Sequence, residues 1–106
     1  MIWLLETKQR CVYGQVSEAE AIARARAADV ADGLWQFFAA DGRALLPKLA
    51  SAGTGGYRLD AAPAGAARLQ DIVHELRAVV IDGKRLGAAA LRERLPPVTA
   101  ERPGAA

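Results

Sequence analysis

This sequence is poor in the residues that carry chemistry. It has one histidine, His74, one cysteine, Cys11, and two residues each of tryptophan, tyrosine and phenylalanine. A single cysteine excludes an intramolecular disulfide and fits a reducing cytoplasm. One histidine and one cysteine do not make the usual four-ligand zinc site. No D-x-D-x-D-G spacing for calcium occurs either. The sequence therefore calls for no metal and no cofactor. No apolar run approaches the roughly 20 residues needed to cross a bilayer. The stretch Met1-Ile2-Trp3-Leu4-Leu5-Glu6 has no basic region ahead of it and does not read as a signal peptide. Strong charge of one sign is also missing. The net charge is +2, whereas a dedicated duplex-DNA binder carries a larger and more clustered basic excess.

What is present is a globular mixture, 52% hydrophobic and 25% charged, which predicts one folded domain rather than a disordered chain. Much of the apolar fraction is alanine, so the core should be thin. The alanine and arginine bias is that of a GC-rich bacterial genome. Residues 1–95 form the expected domain, and the Pro- and Ala-rich stretch 96–106 reads as a loose tail.

Local patterns supply the expected elements. Ile2 to Glu6 reads as a strand, and Arg10 to Gly14 as a second, paired through a turn at Lys8-Gln9. Ser17-Glu18-Ala19-Glu20 is a capping box, and opens a helix expected to run from Glu18 to about Asp32, ended by Gly33. Residues 34–40 and 43–46 flank Asp41-Gly42, which predicts a hairpin with a two-residue type I′ turn, its second arm limited by Pro47. Gly53-Thr54-Gly55-Gly56 lacks the Lys-Ser/Thr of a phosphate loop and reads as part of a flexible connector. Tyr57 to Asp60 is a further short strand.

Residues 66–81 show the cleanest period. Leu69, Ile72, Val73, Leu76 and Val80 follow helical spacing, which predicts a helix whose apolar face packs on the sheet. The competing reading ends that helix near Leu76 and makes Val79-Val80-Ile81 a strand entering a second hairpin at Asp82-Gly83. Leu86 to Leu95 reads as a last short helix before Pro96-Pro97. Together these pieces predict an α+β domain. A largely antiparallel sheet of four to five short strands is packed by two main helices, with a short C-terminal helix. A βαβ crossover fits only around the first helix.

Candidate functional residues are few. The strand 34–39 is apolar on both faces, with Leu34, Gln36 and Phe38 on one side and Trp35, Phe37 and Ala39 on the other. Two main helices are too little to cover both sides, so one face is expected to meet a partner. Trp35 and Phe37, flanked by Arg43 and Arg58, are the binding candidates. Arg26 joins them because it falls between Ile22 and Val30 on the apolar stripe of the first helix. There it either snorkels to water or sits in an ion pair or against a ligand. His74 lies on the polar side of its helix, and Cys11 lies in an apolar strand. Neither has a catalytic partner in a recognisable motif, so no catalytic residue is assigned.

The expectation is a small, non-enzymatic, cytoplasmic module that binds protein, either itself as a homodimer or another chain. A second reading has the aromatic and arginine side chains stack single-stranded nucleic acid, although no RNA-binding sheet motif is present. A third is an enzyme using Cys11 or His74.

Overall fold

The computed structural model describes residues 1–49 and 57–96. The expected connector 51–56 and most of the expected tail lie outside them. Seven strands form one sheet: β1 (Ile2–Glu6), β2 (Cys11–Gln15), β3 (Trp35–Ala39), β4 (Ala44–Leu49), β5 (Tyr57–Ala61), β6 (Ala78–Ile81) and β7 (Lys84–Leu86). Their order across the sheet is β5-β4-β3-β1-β2-β6-β7. All neighbours are antiparallel except β2 and β6. The sheet is therefore mixed and wider than the four to five strands expected. The helices α1 (Glu18–Arg24), α2 (Ala27–Ala31), α3 (Leu69–Ile72) and α4 (Ala88–Arg94) are short, and none is a main helix of the expected kind.

The expected helix 18–32 is broken. Ser17 caps α1 by accepting from the Glu20 N–H. Ala25 and Arg26 then turn extended, with ψ of 105° and 145°, and α2 starts afresh. The break leaves the Ala25 carbonyl for a buried hydrogen bond from the Tyr57 hydroxyl, 2.6 Å away. It also removes Arg26 from the Ile22–Val30 stripe and places it in solvent. Gly33, with φ of +80°, ends α2. The Gly33 N–H donates to Val30 and the Leu34 N–H to Asp29, the paired bonds of a Schellman ending.

The period over 66–81 is helical only at first. One turn of α3 passes into a 3-10 turn, Val73–Glu75, and Leu76 is extended. The β-branched run that follows is β6, which turns through Asp82-Gly83 into β7. Helical spacing and strand propensity compete here, and the buried parallel pairing with β2 decides for the strand. Leu69, Ile72, Val73 and Leu76 still pack on the sheet, while Val80 faces the other side.

The β3–β4 connection also differs from expectation. The Gly42 N–H donates to Ala39 and the Ala39 N–H to Arg43. Only Gly42 of the Asp41-Gly42 pair has positive φ, +93°. The loop is thus a three-residue turn with a glycine bulge, not type I′. Pro47 does not end β4. The Ala62 N–H bonds the Ala44 carbonyl, so even-numbered β4 residues face β5 and Pro47 points its missing N–H toward β3. Pairing with β3 runs from Ala44 to Leu45, so the proline removes no bond from it.

Both faces of β1 and β3 are covered. On one face, Trp3, Leu5, Val12, Phe38 and Val79 pack with Leu69, Val73 and Leu91 from α3, the 3-10 turn and α4. On the other, Leu4, Phe37 and Tyr57 pack with Ala21, Ala25 and Val30 from α1 and α2. Small alanines let the short helices sit close to the sheet. The two-sided apolar pattern of 34–39 is therefore that of a central strand between two helical layers.

Candidate functional site

The candidate binding residues do not converge. Phe37 is 1% exposed and belongs to the core. Trp35 is half-buried on the face of α1 and α2. There its ring meets Tyr13 edge-on at 5.9 Å, and the Arg24 guanidinium lies 4.5 Å from the Tyr13 centroid. Burial pushes the Tyr13 phenol above its ordinary value; the Cys11 thiol, hydrogen-bonded to it, adds to the rise and Arg24 opposes it. Cys11 itself is buried and in no disulfide. Arg43 sits at the hairpin tip and pairs with Asp41 at 3.3 Å. Arg58 is on β5, on the opposite face from Trp35 and Phe37. Arg26 is exposed at the break between α1 and α2.

His74 is exposed and lies 3.6 Å from Glu75. Among the described residues no group of three or more histidine, cysteine, aspartate or glutamate side chains is placed to hold a metal. A groove of about 1110 Å³ runs between the β3–β4 hairpin and residues 61–68. Its walls are mostly alanine, and its rim carries Asp41 with Arg43 and Asp71 with Arg68. Each acid there holds a backbone N–H, that of Arg43 and Arg68 respectively. These charges are locally balanced.

The surface left open lies elsewhere. The α3–α4 layer covers β1, β2 and β6 and meets β4 only at Ala44, leaving the rest of β4 and β5 open on that side. On that side β4 presents Leu46 and Lys48, and β5 presents Arg58 and Asp60. Leu46 stands opposite Asp60, and Lys48 opposite Arg58. By the β3–β4 register, Gln36 flanks Leu46 on the inner side. Leu46 is 43% exposed in the middle of its strand. Arg58 reaches Asp60 at 3.4 Å. Lys48 makes no ion pair among the described residues. Beside Gln36 lies a hollow of about 200 Å³ lined by Leu5, Thr7, Arg10, Ile72, Glu75 and Leu76.

Compared with protein-family models, curated proteins and solved structures, the chain matches none.

The edges of the sheet are less available than this face. On β5 the N–H groups of Tyr57, Leu59 and Ala61 point away from β4, and the Glu18 carboxylate takes that of Leu59 at 2.9 Å. At the other edge β7 has three residues, two of them Lys84 and Arg85. Short length and positive charge both discourage strand addition.

Sequence reasoning misses Leu46, Lys48 and Asp60 as a group. Treating Pro47 as a strand end leaves Lys48 outside β4. The available signal was the alternation Leu45, Pro47, Leu49 against Leu46, Lys48, which continues through the proline. Among the described residues no helix is long and apolar enough to cross a membrane.

Proposed function

We propose that this chain is a non-enzymatic protein-interaction module of the cytoplasm, and that its contact surface is the open side of β4 and β5. The observation that supports this reading most is Leu46. Met1 and Val16 are also exposed, but they lie just outside strands; Leu46 projects from the middle of one. A large apolar side chain held on a rigid sheet face, rimmed by Gln36, Lys48, Arg58 and Asp60, has the anatomy of a docking patch. The single, buried Cys11 suits a reducing compartment. Stacking of nucleic acid draws less support, because Trp35 and Phe37 lie on the face opposite Arg58.

A photo-reactive residue placed at position 46 of the whole chain, in its own cells, tests the reading. The same residue at Ala23, exposed on α1 and on the other face, is the control. A single protein adduct specific to position 46, whose purified form binds the chain and loses binding to Leu46→Asp, is the expected result. An adduct of twice the chain's own mass identifies the partner as a second copy. Equal labelling from positions 46 and 23, or none from 46, overturns the proposal.

A further inference from the structure

Resting on that docking reading, the geometry points to the chemistry of the partner: we propose that the open β4–β5 face receives an acidic protein segment, its carboxylates over Lys48 and Arg58 and an apolar side chain on Leu46. Lys48 and Arg58 are directly opposed across an antiparallel pair. Both are exposed and both lie on the open side. Like charges directly opposite each other cost stability in a sheet. Arg58 is partly compensated by Asp60; Lys48 has no ion-pair partner among the described residues. Two cations and one acid leave the patch with a net positive charge, placed by the strand register rather than by flexible loops. A carboxylate between the two cations turns a repulsive pair into two attractive ones. A face-to-face second copy would instead bring a second positive patch toward the first.

The choice between acids rests on what else the face offers. Single-stranded nucleic acid binds by stacking bases on aromatic rings. The open face presents Gln36, Leu46, Lys48, Arg58 and Asp60, none of them aromatic. Leu46 suits an aliphatic or aromatic side chain of a peptide. The hollow beside Gln36 adds the apolar side chains of Leu5, Ile72 and Leu76 to this contact, with Thr7, Arg10 and Glu75 also in its lining.

The test uses the whole chain and two probes, a short oligoglutamate and a short oligothymidylate, followed by backbone amide shifts. Oligoglutamate is expected to move the amides of Leu46, Lys48, Arg58 and Asp60 and to leave those of α1 and α2 in place, with the effect fading as salt is added. Lys48→Glu should weaken it about fivefold to tenfold, the scale of one reversed surface charge. Lys48→Arg should keep it. Arg92→Glu, a reversal of similar size on α4, controls for net charge and should change binding less than twofold. Equal losses in Lys48→Glu and Arg92→Glu overturn the inference, because the effect is then general attraction. Larger shifts with oligothymidylate overturn it in favour of nucleic acid. No shifts with oligoglutamate, together with a specific protein adduct from position 46, remove the acidic chemistry while the docking surface stands. No shifts and no adduct remove both.

Discussion

Several side chains in this molecule do the work that turn residues do elsewhere. Glu6, 8% exposed, accepts from the N–H groups of Lys8 and Gln9 at 3.1 and 2.7 Å, so the β1–β2 loop closes without glycine or asparagine, with Arg10 at φ of +54°. Gln70 plays a similar part from a distance. Its amide nitrogen donates to the carbonyls of Asp41 and Pro96 at 2.7 and 2.9 Å, tying the β3–β4 tip and the end of α4 to α3. A Cβ at position 42 would overlap that amide, and Gly42 also needs its positive φ. Gly42→Ala should therefore cost more than the roughly 1–3 kcal/mol of a strained backbone alone. Gln70→Ala opens the space and should reduce that cost. Denaturant unfolding of the two single variants and the double variant measures it; strictly additive losses would show that the overlap is not felt.

Tyr57 makes the residue scale testable by pH. Burial pushes its phenol from the ordinary value of 10.0 up to about 12. The folded chain thus keeps a proton that the unfolded chain loses first, and the unfolded state binds fewer protons between those values. Stability contributed by Tyr57 is full below pH 10 and falls as pH rises toward about 12. Tyr57→Phe should flatten that decline, at the cost of the hydrogen bond to Ala25. Parallel pH–stability curves for the two proteins over this window would refute the burial account.

At the scale of elements, one dipeptide shows how much context adds to a local signal. Asp-Gly occurs at 32–33, 41–42 and 82–83. At 32–33 it ends a helix; at 41–42 it completes a bulged three-residue loop; at 82–83 both residues have positive φ, 52° and 76°, and form the two-residue hairpin turn. Sequence alone reads the first as a helix end, offers the third as a hairpin turn only in its competing reading and mistakes the kind of the second, because loop length there is set by register with a third element. The Leu69 N–H donates to the Gly42 carbonyl, a contact that no local pattern announces. The turn at Asp82-Gly83 gives a direct prediction. Asp82→Asn should leave stability within about 0.5 kcal/mol, while Asp82→Val, β-branched at positive φ, should lose about 1–3 kcal/mol. Thermal unfolding of both distinguishes them, and equal stability would contradict the turn assignment. The same competition explains residues 66–81. The face of Leu69, Ile72, Val73 and Leu76 is readable, but where helix yields to strand depends on β2, more than 60 residues earlier in the chain.

At the scale of the molecule, the two-sided pattern of residues 34–39 is the most legible feature and the easiest to misplace. It correctly marks a strand with two apolar faces. It does not reveal that helices of seven residues or fewer suffice to cover both. The open surface falls instead where the sheet outruns its helices, at β4 and β5, and of its residues only Arg58 is singled out by the sequence.

The position of β2 has a consequence for how the chain is made. The β1–β2 hairpin leaves the ribosome well before β6, yet it lies inside the finished sheet. One side of it closes when β3 arrives. The other stays an open edge, carrying Val12 and Tyr13, until Ala78–Ile81 has been synthesised. Between the synthesis of β2 and that of β6 the nascent chain therefore displays an unpaired, apolar strand of the kind that seeds association between chains. Holding that edge out of reach until its late partner emerges is a task for chaperones or for speed, and the synthesis of β6 decides when the risk ends.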